Sequence, residues 1–220
     1  MSDPAPTVFV VDDDASFRTA VGRLLRAAGH GVEAFADAAT MLVRLSRPAS
    51  GCILADLEMP GMDGMALHEA VAASPNPLPV VFLTGHGDVP TTVRALKHGA
   101  EDFLTKTAPR KDLLEAVARA LMRDAAERAA REQRAAARRR YERLTRRERE
   151  VLAHVLRGRL NKEIAWDLSI HERTVKLHRT SITTKLGLAS VAELARWAQE
   201  SGVIHELDSL TGIPPLPKGQ

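Results

Sequence analysis

Four short apolar runs in the first half of the chain each finish on a side chain able to do chemistry. Val8-Phe9-Val10-Val11 leads into Asp12-Asp13, Cys52-Ile53-Leu54-Ala55 into Asp56, Val80-Val81-Phe82-Leu83 into Thr84, and Phe103-Leu104-Thr105 into Lys106. Runs of this length, separated by stretches of helical periodicity, read as strands of a parallel sheet covered by helices. In an open sheet of that kind, ligands gather beyond the carboxyl ends of the strands. The carboxylates, the hydroxyl and the ammonium are therefore predicted to converge on one pocket.

The pattern places strands near residues 7–11, 31–35, 51–55, 79–84 and 101–105. Val32-Glu33-Ala34-Phe35 alternates apolar with polar, as an edge strand does, whereas the first, third and fourth runs are continuously apolar, as central strands are. This order fits a flavodoxin-like, doubly wound (βα)5 sheet over residues 1–122. From residue 110 to about 142 neither Gly nor Pro interrupts a helical pattern. Leu113, Leu114, Val117 and Leu121 give that helix an apolar stripe, but beyond Met122 only alanines continue it. The helix is expected to pack on the sheet at its start and to be exposed at its end. Residues 123–142 then form either a solvated connector or a coiled coil whose seam lacks branched side chains.

Charge divides the chain into two halves. Residues 1–121 carry 11 basic against 15 acidic side chains, a net of −4, and residues 122–220 carry 20 against 13, a net of +7. An acidic half suits a cation or phosphate site, and a basic half suits a polyanion such as double-stranded DNA. The single cysteine, Cys52, lies inside a strand-like run, which makes it a buried thiol and excludes an intramolecular disulfide. No stretch is apolar over the length a bilayer requires, and Met1-Ser2-Asp3-Pro4 is not a basic and apolar leader, so a cytoplasmic protein without a membrane partner is expected.

The basic half resumes a core at Leu144. Thr145 and Glu148 have the spacing of a capping box, and Val151, Leu152, Val155 and Leu156 form the apolar face of the helix that follows, which Gly158 ends. A short helix over 161–168, a turn at Ser169-Ile170-His171, a helix over 172–186 closed by Gly187, and a last helix over 190–200 complete a four-helix all-α domain, residues 143–205. Residues 206–220, with Pro214, Pro215 and Pro217, are read as a mobile tail. The second and third of these helices form a helix-turn-helix: Ile164, Leu168, Val175 and Ile182 seat them together and leave Lys176, Arg179, Thr180 and Lys185 outward.

Clustered carboxylates repel one another unless positive charge sits among them. A hard divalent ion with oxygen ligands, with Lys106 beside it, supplies that charge, and Mg2+ also accepts phosphoryl oxygens. Asp56 is then expected to be the phosphoacceptor nucleophile. Asp13 would hold the metal directly, Asp12 through water, and the main-chain carbonyl of Glu58 would complete the shell. Lys106 and Thr84 would contact the phosphoryl oxygens.

At Val-Val-Asp-Asp-Asp, Asp56-Leu-Glu-Met-Pro-Gly-Met-Asp-Gly64, Thr84 and Lys106 the chain resembles the receiver domain of bacterial two-component response regulators. Thr84-Gly85-His86-Gly87-Asp88-Val89-Pro90 is similar to the FixJ subgroup of the FixJ/NarL family in particular. The basic half resembles the LuxR-type helix-turn-helix domain. The resemblance implies a transcriptional regulator rather than an enzyme, phosphorylated by a sensor histidine kinase. It also implies a switch in which Thr84 moves toward the phosphate, Phe103 rotates inward, and the face around the fifth strand and its flanking helices forms a homodimer. Lys176, Leu177 and Thr180 would face base edges, with Arg179 a further reader. Lys162, Arg173, Thr174 and Lys185 would meet phosphates, and Val191, Leu194 and Trp197 would form a dimer surface. One position departs from the family: its lysine is followed by proline after a cis bond, but Lys106 precedes Thr107. A cis bond here would cost roughly 2.5–4 kcal/mol, so a trans bond and a reshaped loop are expected, with the reach of Lys106 at stake. That departure motivates an alternative, a DNA-binding regulator with a passive receiver. A true phosphatase is the third reading, which would leave the helix-turn-helix idle.

Overall fold

Side chains alternate along a strand, and that alternation sorts the apolar residues onto two faces of one sheet. The computed structural model describes residues 5–85 and 99–203. Its strands are β1 (Thr7–Val11), β2 (Gly31–Phe35), β3 (Gly51–Asp56), β4 (Val80–Thr84) and β5 (Asp102–Thr105), in the order β2-β1-β3-β4-β5 with every pairing parallel. Phe9, Val11, Ile53, Ala55 and Phe82 face α2 (Ala38–Leu45) and α3 (Gly64–Ala72). Val8, Val10, Cys52, Leu54, Val81 and Leu83 face the other way, onto α1 (Ala15–Ala27) and the start of α4 (Arg110–Glu142). β3 is buried throughout, whereas β2 at the edge is partly exposed, as its alternation predicts. The segment expected to form a helix after β4, residues His86–Pro90 of the quoted motif and residues 204–220 lie outside the described residues.

Aspartates begin three of these helices: Asp14, Asp37 and Asp63 each accept a backbone N–H in the first turn. Leu113, Ala116, Val117 and Ala120 anchor α4 on the sheet. One turn further on, buried Asp124 accepts from the Gly51 N–H at 2.9 Å and from Arg128 Nε at 3.0 Å, stapling α4 to the start of β3. Gly51 has to be glycine, because its φ is +132° and a Cβ there would lie 1.8 Å from the Thr7 carbonyl oxygen.

The chain divides into two compact units, Met1–Arg128 and Ala129–Gln220. The second is a bundle of α5 (Arg146–Leu156), α6 (Asn161–Asp167), α7 (Glu172–Leu186) and α8 (Val191–Ser201). Thr145 and Glu148 form the expected capping box, and Gly187 closes α7 at φ +68°. Two expectations are corrected in this unit. The end of α4 is not simply exposed, because Ala137 and Tyr141 are buried in the bundle core, with the Tyr141 ring centroid 6.5 Å from that of Trp197. Leu194 and Trp197 are not a dimer surface: both are buried in the same core, because four short helices need the inner face of α8 to close it. Val191 alone of the three stays exposed.

Candidate functional site: an acidic pocket and a helix-turn-helix

The tips of β1, β3 and the β5 loop meet. Asp12 and Asp56 are buried and Asp13 is exposed, and one carboxylate oxygen from each lies within 4.8 Å of the other two. Lys106 Nζ reaches across from the end of β5, 2.7 Å from Asp12 Oδ2 and 2.8 Å from Asp56 Oδ2. No cis peptide occurs among the described residues, so the bond to Thr107 is trans, and the lysine still reaches the pocket. Its backbone helps: the Lys106 N–H donates to the Thr84 carbonyl at 2.7 Å, tying the loop to the end of β4.

Neighbouring groups hold the carboxylates in orientation. Asp56 Oδ1 accepts from the Glu58 N–H at 3.2 Å, and Asp12 Oδ1 accepts from the Asp14 N–H at 2.9 Å. Arg18 Nη1 donates to the Asp12 carbonyl at 2.5 Å. Gly64 lets the backbone close over the site, since a Cβ on it would lie 2.4 Å from the Asp56 carbonyl oxygen. Glu58 and Asp13 line a common cleft with Pro60 and Asp63. Thr84 is fully buried at the end of β4, and half-buried Phe103 packs beside Phe82 with ring centroids 6.5 Å apart.

Electrostatics here are unbalanced. Burial pushes the Asp12 carboxyl above its ordinary value, against the hydrogen bond and charge of Lys106, and the Asp56 charge adds to the rise. Burial lowers the Lys106 ammonium, but hydrogen bonds to Asp12 and Asp56 outweigh it and leave its pKa raised. Three carboxylates face one ammonium, and every donor in the cluster is a hard oxygen. That donor set fits a hard divalent cation.

In the second unit the bundle presents α7 on one side. Lys162, Arg173, Lys176, Leu177 and Thr180 are exposed, Thr174 is half-buried, and Val175, Ile182 and Leu186 are buried beneath. Two residues assigned to DNA are engaged internally. Arg179 Nη1 donates to Asn161 Oδ1 at 2.9 Å, linking α7 to the start of α6. Lys185 does not stand outward: its Nζ donates to both oxygens of Glu148, at 2.8 and 2.7 Å. The physical reason is that Glu148 is buried and a buried carboxylate requires a partner. Ser181 Oγ donates to the same carboxylate at 2.6 Å.

The residues that sequence reasoning missed are Phe17, Arg18, Asp124 and Tyr141, together with the link from Glu148 to α7. Only Tyr141 carried a signal, as the one aromatic residue in a segment of alanine, charged residues and Gln133.

Comparison with known proteins accounts for both units. Residues 8–118 match the response regulator receiver domain family, and residues 142–198 match the bacterial regulatory proteins of the luxR family. Response regulator protein TodT of Pseudomonas putida is 38% identical over 196 residues, 89% of this chain and 86% of TodT. Transcriptional regulatory protein FixJ of Bradyrhizobium diazoefficiens is 39% identical over 202 residues, 90% of this chain and 97% of FixJ. Among solved structures, response regulator StyR aligns with a TM-score of 0.79 at 44% identity, covering 89% of this chain and 99% of StyR. Full-length FixJ from B. japonicum aligns with a TM-score of 0.55 at 35% identity, covering 90% of this chain and 98% of that one.

Proposed function

This chain belongs to the response regulators of two-component systems, a receiver domain joined to a LuxR-type DNA-binding domain, and we propose that phosphorylation of Asp56 controls its hold on DNA. The family is one of transcriptional regulators rather than enzymes. The observation that carries the reading is the reach of Lys106 to both Asp12 and Asp56.

In this reading a sensor histidine kinase donates the phosphoryl group. An Asp56 carboxylate oxygen attacks phosphorus, the bond to the kinase histidine breaks, and the product is an acyl phosphate on Asp56 with the histidine released. Lys106 moves from the Asp56 carboxylate to a phosphoryl oxygen, and the Thr84 hydroxyl bonds another. Asp12, Asp13, Asp56 and the Glu58 main-chain carbonyl would hold Mg2+, which when bound neutralises charge on the phosphoryl oxygens. Phe103 follows Thr84 inward, and the altered face pairs two copies. Paired helix-turn-helix units then occupy half-sites one helical turn apart, about 10 bp. Lys176, Leu177 and Thr180 read bases, while Lys162, Arg173 and Thr174 hold phosphates.

Sedimentation with and without beryllofluoride and Mg2+ tests the pocket and the pairing together. A shift from monomer to dimer that Asp56→Asn abolishes is expected. An unchanged wild-type profile, with no labelling of Asp56 by acetyl phosphate, would refute the reading.

A further inference from the structure

Lysine is a long, flexible side chain, and fixing its ammonium over a pocket costs rotamer entropy. Thr107, which stands where the family has proline, is exposed and makes its side-chain contact with Thr105 Oγ1 at 3.2 Å, away from the ammonium. Asp12 and Asp56 do hold Lys106, but Asp56 is the group that reaction changes. One further partner remains the same before and after: the Phe17 ring, whose centroid lies 4.7 Å from Lys106 Nζ.

The placement of that ring follows from the sequence beside the acidic pocket. Asp14 caps α1 by accepting from the N–H groups of Ser16 and Phe17, which fixes the first turn directly after Asp12 and Asp13. Phe17 is half-buried, packs against the core on that face of the sheet, and lines a cleft of about 480 Å³ together with Leu83, Thr105, Lys106 and Leu113. An aromatic face within about 6 Å attracts an ammonium, and more strongly where water is partly excluded, as it is around a Lys106 side chain only 19% exposed.

We propose that Phe17 is a positioning residue for Lys106: its ring holds the ammonium at Asp56 and does the work of the proline that is absent after the lysine. The proposal rests on Asp56 being the phosphoacceptor. A leucine at position 17 would keep the packing and lose the ring. A tyrosine or tryptophan would keep both.

The experiment uses the full chain with acetyl phosphate and Mg2+, following phosphorylation of Asp56 on phosphate-affinity gels, with thermal melting to confirm that each variant folds. Phe17→Leu is expected to slow labelling roughly tenfold, in line with a partly desolvated cation–π contact. Phe17→Tyr and Phe17→Trp should label within about twofold of wild type, since both keep a ring face for the ammonium. In a Lys106→Met background Phe17→Leu should cause no further loss. The Lys106 side-chain methylene resonances should be shifted upfield by the ring in wild type and return to ordinary positions in Phe17→Leu. A folded Phe17→Leu chain that labels at the wild-type rate would overturn the proposal, and so would a full additional loss in the Lys106→Met background. Failure of the wild type to label would instead sink the reading of Asp56, and the lysine resonances would still decide whether Phe17 holds the ammonium.

Discussion

At Glu148 burial and hydrogen bonding pull in opposite directions. Burial pushes its carboxyl up, but bonds from Lys185, Ser181 and Thr145 outweigh that and hold its pKa down to about 2, from an ordinary 4.5. A lowered carboxyl contributes stability above its ordinary pKa and loses it as pH falls toward the folded value. The second unit should therefore lose roughly 3 kcal/mol between pH 4.5 and about 2 from this group alone. Glu148→Gln should be less stable at neutral pH and lack that component, as thermal denaturation across the acid range would show; an unchanged acid slope would refute the assignment. The capping box was legible from the spacing of Thr145 and Glu148. Lys185 and Ser181 were not, because their distance from Glu148 depends on how α5 and α7 pack. Local spacing reports contacts within a helix, and contacts between helices escape it. Phe17 escaped for the same reason: its ring reaches Lys106 across 89 residues of sequence.

Among the elements, the strands were the most legible, since each central run is apolar up to a polar side chain at its carboxyl end. The loop after β3 depends on a glycine. Gly64→Ala would set a methyl group against the Asp56 backbone, and the shift it forces should reduce acetyl phosphate labelling of Asp56 by tenfold or more while the fold survives; labelling at the wild-type rate would count against that role. The helix-turn-helix elbow offers the opposite case. Ser169 holds φ at +52°, a region where a side chain is strained. Ser169→Gly should raise stability of the second unit by about 1 kcal/mol, measured by denaturant titration. The last helix shows what an amphipathic pattern leaves open. An apolar face on α8 must be covered, but periodicity does not say whether another copy or the same bundle covers it. Leu194 and Trp197 turned inward.

At the scale of the whole molecule, charge separates the chain into two halves. The acidic half suits a cation or phosphate site and the basic half a polyanion, and the two family matches fall on either side of that division. Operator affinity of the wild type should rise under phosphodonor and that of Asp56→Asn should not, as electrophoretic mobility shifts would report; equal responses would favour a passive receiver. Lys176→Ala should lose about 1–3 kcal/mol of discrimination between operator and random DNA, with less effect on random sequence. At the far end of the connector alanine is a weak apolar signal, yet Ala137 and Tyr141 are core residues. Arg140 adds a tie there, donating to the Leu186 carbonyl at 3.4 Å. Protein dissection must respect this. A fragment beginning at Leu144 would leave a hole where the tyrosine ring belongs and should melt early or aggregate, whereas one beginning near Ala129 would carry its own plug.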